Sequence, residues 1–402
     1  MVPTLLFAIG AVSALIALWP FGPYQLTLII ARRLCCFPPT PDLAPLVPGP
    51  SDDSFAICVC AYNEAPIIAD KVEDLLRLRE AAGGDLDIFI YVDGATDDTA
   101  SILEPYRDRV HLVIDGDRRG KTLGMNLLVA QTRASIVMFT DANVRIDPSA
   151  VPVLRRYFAD PSVGCVCSHL TYVNASQSAT AFVGSAFWSF NEWSKGLETA
   201  TGSVIGADGS LFAIRRRLHR PVPNGLIDDI FVSIGILVAG YRVVRAPELR
   251  AFETHTTEAT DEFRRKVRIA SQSMHIHFEL WPELRRLDTW HLYKYIGHRL
   301  LRWIGGYFLI VAMLLFATAA VLALGPVMVL AVGGSLVLLF LTALQARLGP
   351  AMTLLNVLFA LAGNIVGVWR ALHGEHATIW EPPSSARGIG VRDKEQLDEH
   401  GA

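Results

Sequence analysis

Charge is what this 402-residue chain lacks most, and the deficit is local. Between Trp303 and Trp369 the sole charged residue is Arg347. No water-soluble domain tolerates such a stretch, since about 20 apolar residues are enough to cross a bilayer. Segments 303–324, 326–345 and 351–369 are each long enough to cross, although the last holds Asn356 and Asn364. Ionisable side chains inside these segments are almost absent, which argues against a transporter. Cysteine is also scarce. The six residues are Cys35, Cys36, Cys58, Cys60, Cys165 and Cys167, and none has the paired spacing of a zinc site. The last four fall in apolar strand-like runs and read as small, reduced core residues. The amino terminus lacks the basic start and short apolar core of a cleavable signal peptide. Pro3 to Ile30 carries no charge, so a retained membrane helix is expected there, kinked or divided by Pro20 and Pro23. The net charge of −3 excludes little by itself.

What is present falls into zones. Arg32 and Arg33 follow the first apolar helix and place that flank on the cytoplasmic side. Six prolines at positions 38, 39, 41, 45, 48 and 50 make a stiff, extended linker. From Phe263 to Arg302 there are nine Lys and Arg against three acids, a basic surface suited to anionic headgroups or a solvated helix face. One amino-terminal span followed by three more would put the carboxy terminus outside the cytosol. Arg370, Arg387, Arg392 and Lys394 instead suggest a cytosolic tail. Either the last apolar segment is re-entrant or interfacial, or the charge count misleads.

Between these ends, apolar strand-like runs alternate with helical periodicity. Strands are expected at Phe55–Cys60, Asp87–Val92, Val110–Ile114 and Ile136–Phe139, then at Ser162–Tyr172, after the Ser203–Ser210 turn, and at Tyr241–Val244. Helices are expected at Ala65–Glu80, Thr96–Tyr106, Thr122–Thr132, Ala179–Thr199 and Ile230–Ala239. This alternation predicts an α/β fold with a mostly parallel sheet covered on both faces. The fourth strand organises the rest. It ends in Thr140-Asp141-Ala142-Asn143, where residues two apart point to the same side. Asp141 and Asn143 therefore present oxygens toward the crevice beyond the strand ends, where such sheets bind ligands. Two readings apply: a Mg²⁺–diphosphate site, since that cation takes one or two protein oxygens, or an Asx turn. On this motif alone the turn is favoured.

The motifs taken together resemble a family. Ala61-Tyr-Asn-Glu64, Val92-Asp-Gly-Ala-Thr-Asp97, Arg119-Gly-Lys121, Thr140-Asp-Ala-Asn143, Gly206-Ala-Asp-Gly-Ser210 and Asp228-Asp229 occur in the order and spacing of family 2 glycosyltransferases. The flanking apolar segments resemble its membrane-bound branch, which includes cellulose and hyaluronan synthases, and Trp380-Glu-Pro-Pro resembles a tail motif of the family. The resemblance covers residues 54 to about 275 and implies a GT-A (Rossmann-like) domain. It also implies hexosyl transfer with inversion from a nucleotide-diphospho-sugar, UDP-sugar first, with Mg²⁺ or Mn²⁺ as cofactor. The domain plan is a membrane helix (1–31), a linker (32–53), the GT-A domain (54–260) and basic amphipathic interface helices (261–302). Membrane helices (303–370) and a polar tail (371–402) complete it. The catalytic domain is expected to face the cytosol from the cytoplasmic membrane.

The resemblance also implies roles. Ala61, Tyr62, Glu64, Asp93, Lys121 and Asp141 are placed at the nucleotide-sugar, with Asp141 and Asn143 at the metal. Asp229 is placed as the catalytic base, ionised at a helix start, with Asp228 beside it. Gly206, Asp208, Gly209, Arg265 and Arg268 are placed at a glycan or lipid-linked acceptor. Physical readings of the same residues remain open: Asp93 as a turn former, Glu64 as a helix cap, Asp228 as a helix-start acid. Two positions depart from the family. Asn143 stands for the second acid of Asp-x-Asp, which weakens or reroutes the second metal contact. Arg265-Lys-Val-Arg268-Ile269 stands where processive members have Gln-x-x-Arg-Trp, so a non-processive enzyme is expected. The alternatives are a processive polysaccharide synthase or a non-catalytic nucleotide-sugar-binding membrane subunit. His275 and His277 read as helix-surface or interfacial residues, and no nucleic-acid partner is expected.

Overall fold

The structure is a computed structural model that describes residues 1–35, 37, 53–346 and 348–375. The linker prolines, Cys36, Arg347 and the tail from 376 onward, with Trp380, Arg387, Arg392 and Lys394, lie outside the described residues.

The apolar amino terminus is divided as its prolines predict. Helix α1 (Val2–Leu18) gives way to a 3₁₀ turn at Trp19–Phe21, and α2 (Pro23–Leu34) restarts with proline in its first turn. The central domain then runs β1 (Phe55–Ala61), α3 (Ile68–Ala81), β2 (Leu86–Asp93), α4 (Thr99–Leu103), β3 (His111–Asp115), α5 (Lys121–Gln131) and β4 (Ile136–Asp141). After it come β5 (Arg145–Ile146), α6 (Ala150–Phe158), β6 (Val163–Tyr172), α7 (Ala179–Ala200), β7 (Leu211–Arg215), α8 (Asp228–Val238) and β8 (Arg242–Glu253).

These strands form one sheet in the order β3-β2-β1-β4-β7-β6-β8-β5. β1 lies parallel to both β2 and β4, and β2 is parallel to β3. β7 enters antiparallel between β4 and β6, and β8 is parallel to β6. The sheet is thus mixed and mostly parallel. Period-two alternation feeds two cores. Phe55, Ile57 and Val59 of β1 join one apolar layer with α3 and α6, while Ala56 and Cys58 join the other with α5 and α8. Cys58, Cys165 and Cys167 are buried, and Cys60 is half-buried.

Two expectations need correction. The helix expected from Thr96 begins only at Thr99, because Asp97 accepts from the Ala65 and Thr99 amides and so ties two loops together. The strand expected at Tyr241–Val244 runs on to Glu253, because its second half pairs with the end of β6. That extension brings a carboxylate to the carboxyl edge of the sheet.

Beyond the sheet lie α9 (Ala259–Leu284), α10 (Thr289–Lys294), a π-helical turn at Tyr295–Leu300, then α11 (Leu301–Leu324), α12 (Pro326–Gln345) and α13 (Gly349–Leu372). Among the described residues four helical segments are long and apolar enough to cross a membrane: Val2–Phe21, Thr289–Leu324, Pro326–Gln345 and Gly349–Leu372. The basic helix α9 lies directly against α13. A Cβ built on Gly367 would stand 2.3 Å from the Val267 carbonyl oxygen and 2.7 Å from the Ala270 Cβ, so only glycine permits this crossing.

Candidate active site

Strands β1, β2 and β4 end side by side, and the loops beyond them carry the predicted motifs. The β1 loop holds Asn63 in a left-handed conformation (φ 51°). Its side chain accepts from the Thr96 amide at 2.8 Å, locking the β1 loop to the β2 loop. Asp93, at the end of β2, accepts from the Arg119 and Gly120 amides at 2.7 and 3.0 Å. Its carboxylate therefore fixes the Arg-Gly-Lys turn, a role nearer the turn-forming reading. Gly94 allows the close approach, since a Cβ there would lie 2.5 Å from the Arg118 nitrogen. Arg118 in turn lies over the Tyr62 ring at 3.6 Å. A small pocket at these loop ends is lined by Tyr62, Glu64, Asp93, Gly120, Lys121 and Asn143, among others. Ala61 lies on its floor, and the Glu64 carbonyl caps the start of α3 through Ile67 and Ile68.

Lys121 opens α5, and its ammonium lies 2.8 Å from Asp141 Oδ1 and 3.4 Å from Asp228 Oδ2. Burial works against its charge, but Asp141 and then Asp228 outweigh it, so Lys121 is held well above the ordinary lysine range. Gly209, in the turn before β7, closes the group from the opposite side. A Cβ built on it would lie 3.3 Å from Asp229 Oδ2, 3.6 Å from Asp141 Oδ2 and 3.8 Å from Lys121 Nζ. Side-chain atoms from three separate motifs therefore lie within contact distance of the Gly209 position.

Asp229 stands in the first turn of α8, as expected, and accepts from the Ile230 amide at 2.5 Å. The expectation that the helix start keeps it ionised is not met. Burial, followed by the neighbouring Asp228 charge, raises its carboxyl to about 8, against the pull of Lys121 and the Ile230 amide. Desolvation of a fully enclosed acid exceeds what a helix terminus supplies.

Asn143 Nδ2 donates to Glu253 Oε1 at 3.0 Å, which leaves the amide oxygen as acceptor. Glu253 is raised to about 7, mainly by burial. Asp141 Oδ2 and the Asn143 oxygen suit a hard cation that takes one or two oxygens from protein. Among the described residues no three His, Cys, Asp or Glu converge on one point, so diphosphate and water would complete such a shell.

The Gly206–Ser210 turn is braced from beneath. Lys195, fully buried on α7, pairs with Asp208 Oδ2 at 2.6 Å and with Glu192, while Ser210 donates to Asp208 Oδ1. Arg299 donates to the carbonyls of Ile205 and Gly206, the latter at 2.5 Å. Arg265 lies among Glu262, Tyr172 and His255, with nearest distances of 3.4 Å. Tyr172 and the acids keep it charged against burial. Arg268 donates to Gln272 at 3.2 Å. Burial, then Arg265, lowers it to about 10. Both arginines line a crevice of about 1540 Å³ that also contains Lys121, Asp141, Asp208, Gly209, Asp228 and Asp229. His275 and His277 bond to Ser271 and Tyr295 on their own side of the fold.

Sequence reasoning missed Glu253, Lys195, Glu192, Arg299 and Arg302. Glu253 was hidden by the truncated last strand. Lys195 stands in an aromatic-rich helix, where a lone cation reads as a surface residue.

A mixed, mostly parallel sheet with these acids on its carboxyl edge and a glycine turn facing them is a GT-A-like α/β fold. Residues 56–222 match the family model described as Glycosyl transferase family 2. Among solved structures, a mannosyltransferase of Pyrobaculum calidifontis in complex with GDP-Man and Mn²⁺ shares the fold. It superposes with a TM-score of 0.64 at 21% identity, covering 92% of this chain and all of that one. Curated relatives include an N-acetylglucosaminyltransferase of Rhizobium meliloti, 21% identical over 65% of this chain and 62% of its own length. A beta-monoglucosyldiacylglycerol synthase of Synechocystis is 27% identical over 40% of this chain and 36% of its own. The chain thus spans between 36% and 62% of the length of these two relatives.

Proposed function

We propose that the protein is a membrane-anchored, inverting glycosyltransferase that moves one sugar from a nucleotide-diphospho-sugar to an acceptor hydroxyl. The observation that carries this reading is the convergence of Asp229, Asp141 and Lys121 on Gly209, between the loop-end pocket and the larger crevice. The nucleotide would occupy the pocket bounded by Tyr62, Glu64 and Asp93, with its diphosphate near Lys121. Asp141, with Asn143, would hold Mg²⁺ or Mn²⁺, which supplies charge to the leaving diphosphate. The Mn²⁺ in the Pyrobaculum complex supports a divalent cation here.

The acceptor enters from the crevice, past Gly209 and Asp208. Its hydroxyl oxygen attacks the anomeric carbon as its proton passes to Asp229. The bond from that carbon to the diphosphate oxygen breaks on the opposite face, and the diphosphate leaves with the electron pair. Displacement from one face gives inversion, the same opposed-face logic as in inverting glycoside hydrolysis. Lys121, already paired with Asp141 and Asp228, meets the developing charge without reorganisation. Ile269 in place of an acceptor-gripping tryptophan favours release after a single transfer. Arg32 and Arg33 favour a cytosolic catalytic domain.

The test is nucleotide release by the purified full-length chain, offered UDP-, GDP- and dTDP-sugars with and without Mg²⁺ or Mn²⁺. Release above that of the Asp229→Asn variant supports the reading. Binding without release by either protein would favour a non-catalytic subunit.

A further inference from the structure

The crevice does not end at the acids. It continues between α7, α9 and α13, lined there by Phe187, Trp188, Trp303, Val357, Ala360 and Leu361. Thr180 on α7 donates to Asn356 on α13 at 2.9 Å, so a soluble-domain helix and a membrane-length helix form its two walls. Cations lie along the passage from the acids to this apolar end. Arg268 and Arg265 lie near the acids. Lys266 Nζ and the Arg302 guanidinium both approach the Phe187 ring, at 4.6 and 5.3 Å. Glu262 pairs with both Arg265 and Lys266. Among the described residues no carboxylate pairs with Arg302. Its partners are Asn191 at 3.0 Å and His298. Arg302 Nε and Trp188 Nε1 are buried donors with no partner among the described residues, and both residues line the crevice. Arg302 is the second residue of α11, at the start of its apolar run.

Resting on the transferase reading above, we infer that the acceptor is a membrane lipid whose anionic, phosphate-bearing head lies between Arg268, Arg265 and Arg302. Its hydrocarbon chain lies in the groove between α7 and α13. Arginine forks suit phosphate oxygens. A single apolar-to-cationic passage suits a molecule with a tail at one end and a charged head at the other. A neutral glycan would leave both the Arg302 and Trp188 donors and the apolar wall unmatched.

The test uses the full-length chain in phosphatidylcholine nanodiscs, titrated with dodecyl phosphate and followed by tryptophan fluorescence. Dodecyl maltoside (tail and neutral sugar) and inorganic phosphate (charge alone) are the comparisons. The expected result is dodecyl phosphate bound about tenfold or more tightly than either. Arg302→Gln should weaken dodecyl phosphate by a similar factor, and Ala360→Trp should weaken it by filling the groove. Nucleotide-sugar binding, measured on the same samples, should be unchanged in both variants, which excludes misfolding. Equal binding of dodecyl phosphate and dodecyl maltoside overturns the inference. So does full affinity in both variants. A wild-type protein that binds dodecyl phosphate but no nucleotide-sugar would instead overturn the transferase reading and leave the lipid site standing.

Discussion

Lys121 Nζ and Asp141 Oδ1 form an ion pair of 2.8 Å at the end of the fourth strand. One oxygen of the expected cation ligand is thus already committed to a lysine, while its other oxygen faces Gly209. A cation bound through Oδ2 would share the carboxylate with Lys121, and the two positive charges would flank the same diphosphate. Asp141→Ala should therefore do double damage, removing the cation ligand and releasing Lys121. Turnover should fall to background, and chelator should do the same to wild type. Turnover in chelator equal to that with Mg²⁺ or Mn²⁺ would refute the assignment.

Asn143→Asp replaces the amide that donates to Glu253 with a second carboxylate. Cation affinity should tighten, because an anionic oxygen replaces a neutral one. Glu253, already raised to about 7, loses a hydrogen bond to its charged form and gains a like charge, so it should rise further. Isothermal titration with Mn²⁺ in the presence of nucleoside diphosphate measures the first effect. Weaker binding in the variant would show that Asn143 holds Glu253 rather than the cation.

Asp229→Asn keeps the shape but cannot accept a proton. Turnover should fall by roughly 10²–10⁴-fold, the range for a general base, with nucleotide-sugar affinity nearly unchanged. Asp228→Asn should cost less. To act as the proposed base Asp229 must be ionised, and burial, followed by the Asp228 charge, raises its carboxyl to about 8. The turnover profile of wild type should rise as pH increases toward 8. A profile flat from pH 6 to 9 would show that the acid is ionised when substrate is bound.

The same carboxyl makes an opposite prediction for stability. Its folded value lies above the ordinary 3.8, so the folded state holds a proton that the unfolded chain has lost. Stability should therefore fall as pH rises from about 4 toward 8. Asp229→Asn removes this penalty. Its melting temperature should exceed that of wild type near pH 8, and the gap should close as pH falls toward 4. A variant less stable than wild type at pH 8 would mean that Asp229 is stabilised by contacts that outweigh its desolvation.

Orientation can be read by labelling. Ser101 is exposed on α4. A cysteine at this position should react with an impermeant thiol reagent only after the membrane is opened. Labelling in intact cells would place the catalytic domain outside the cytosol.

Strands that run through both cores were legible because burial imposes their composition. Phe55 to Cys60 and Ile136 to Phe139 needed no context. The strand-end motifs were legible because acids and glycines at those points have few structural uses. Asp93 shows where that inference stops, since a carboxylate at a strand end can serve the neighbouring loop as readily as a ligand. Glu253 escaped because Pro247 and the charges around it, in Arg245-Ala-Pro-Glu-Leu-Arg250, break the alternation that marks a strand, and only pairing with β6 restores it. The proton affinity of Asp229 escaped for a different reason. Helix position is local and readable, whereas enclosure by Gly209, Asp228 and the crevice walls depends on the whole fold.

The contact at Gly367 joins two parts that a bilayer can move. With no side chain between α13 and α9, a tilt of one helix shifts the other without slack. Helix tilt answers to hydrophobic thickness. The stretch of α9 held at this crossing, Val267 to Ala270, contains Arg268 and begins two residues after Arg265. A thicker or thinner membrane would therefore move the crevice arginines relative to Asp229 and Gly209, which belong to the domain core. Any tilt of α13 would thus pass through Gly367 to Arg268 and Arg265 rather than to Asp229 and Gly209.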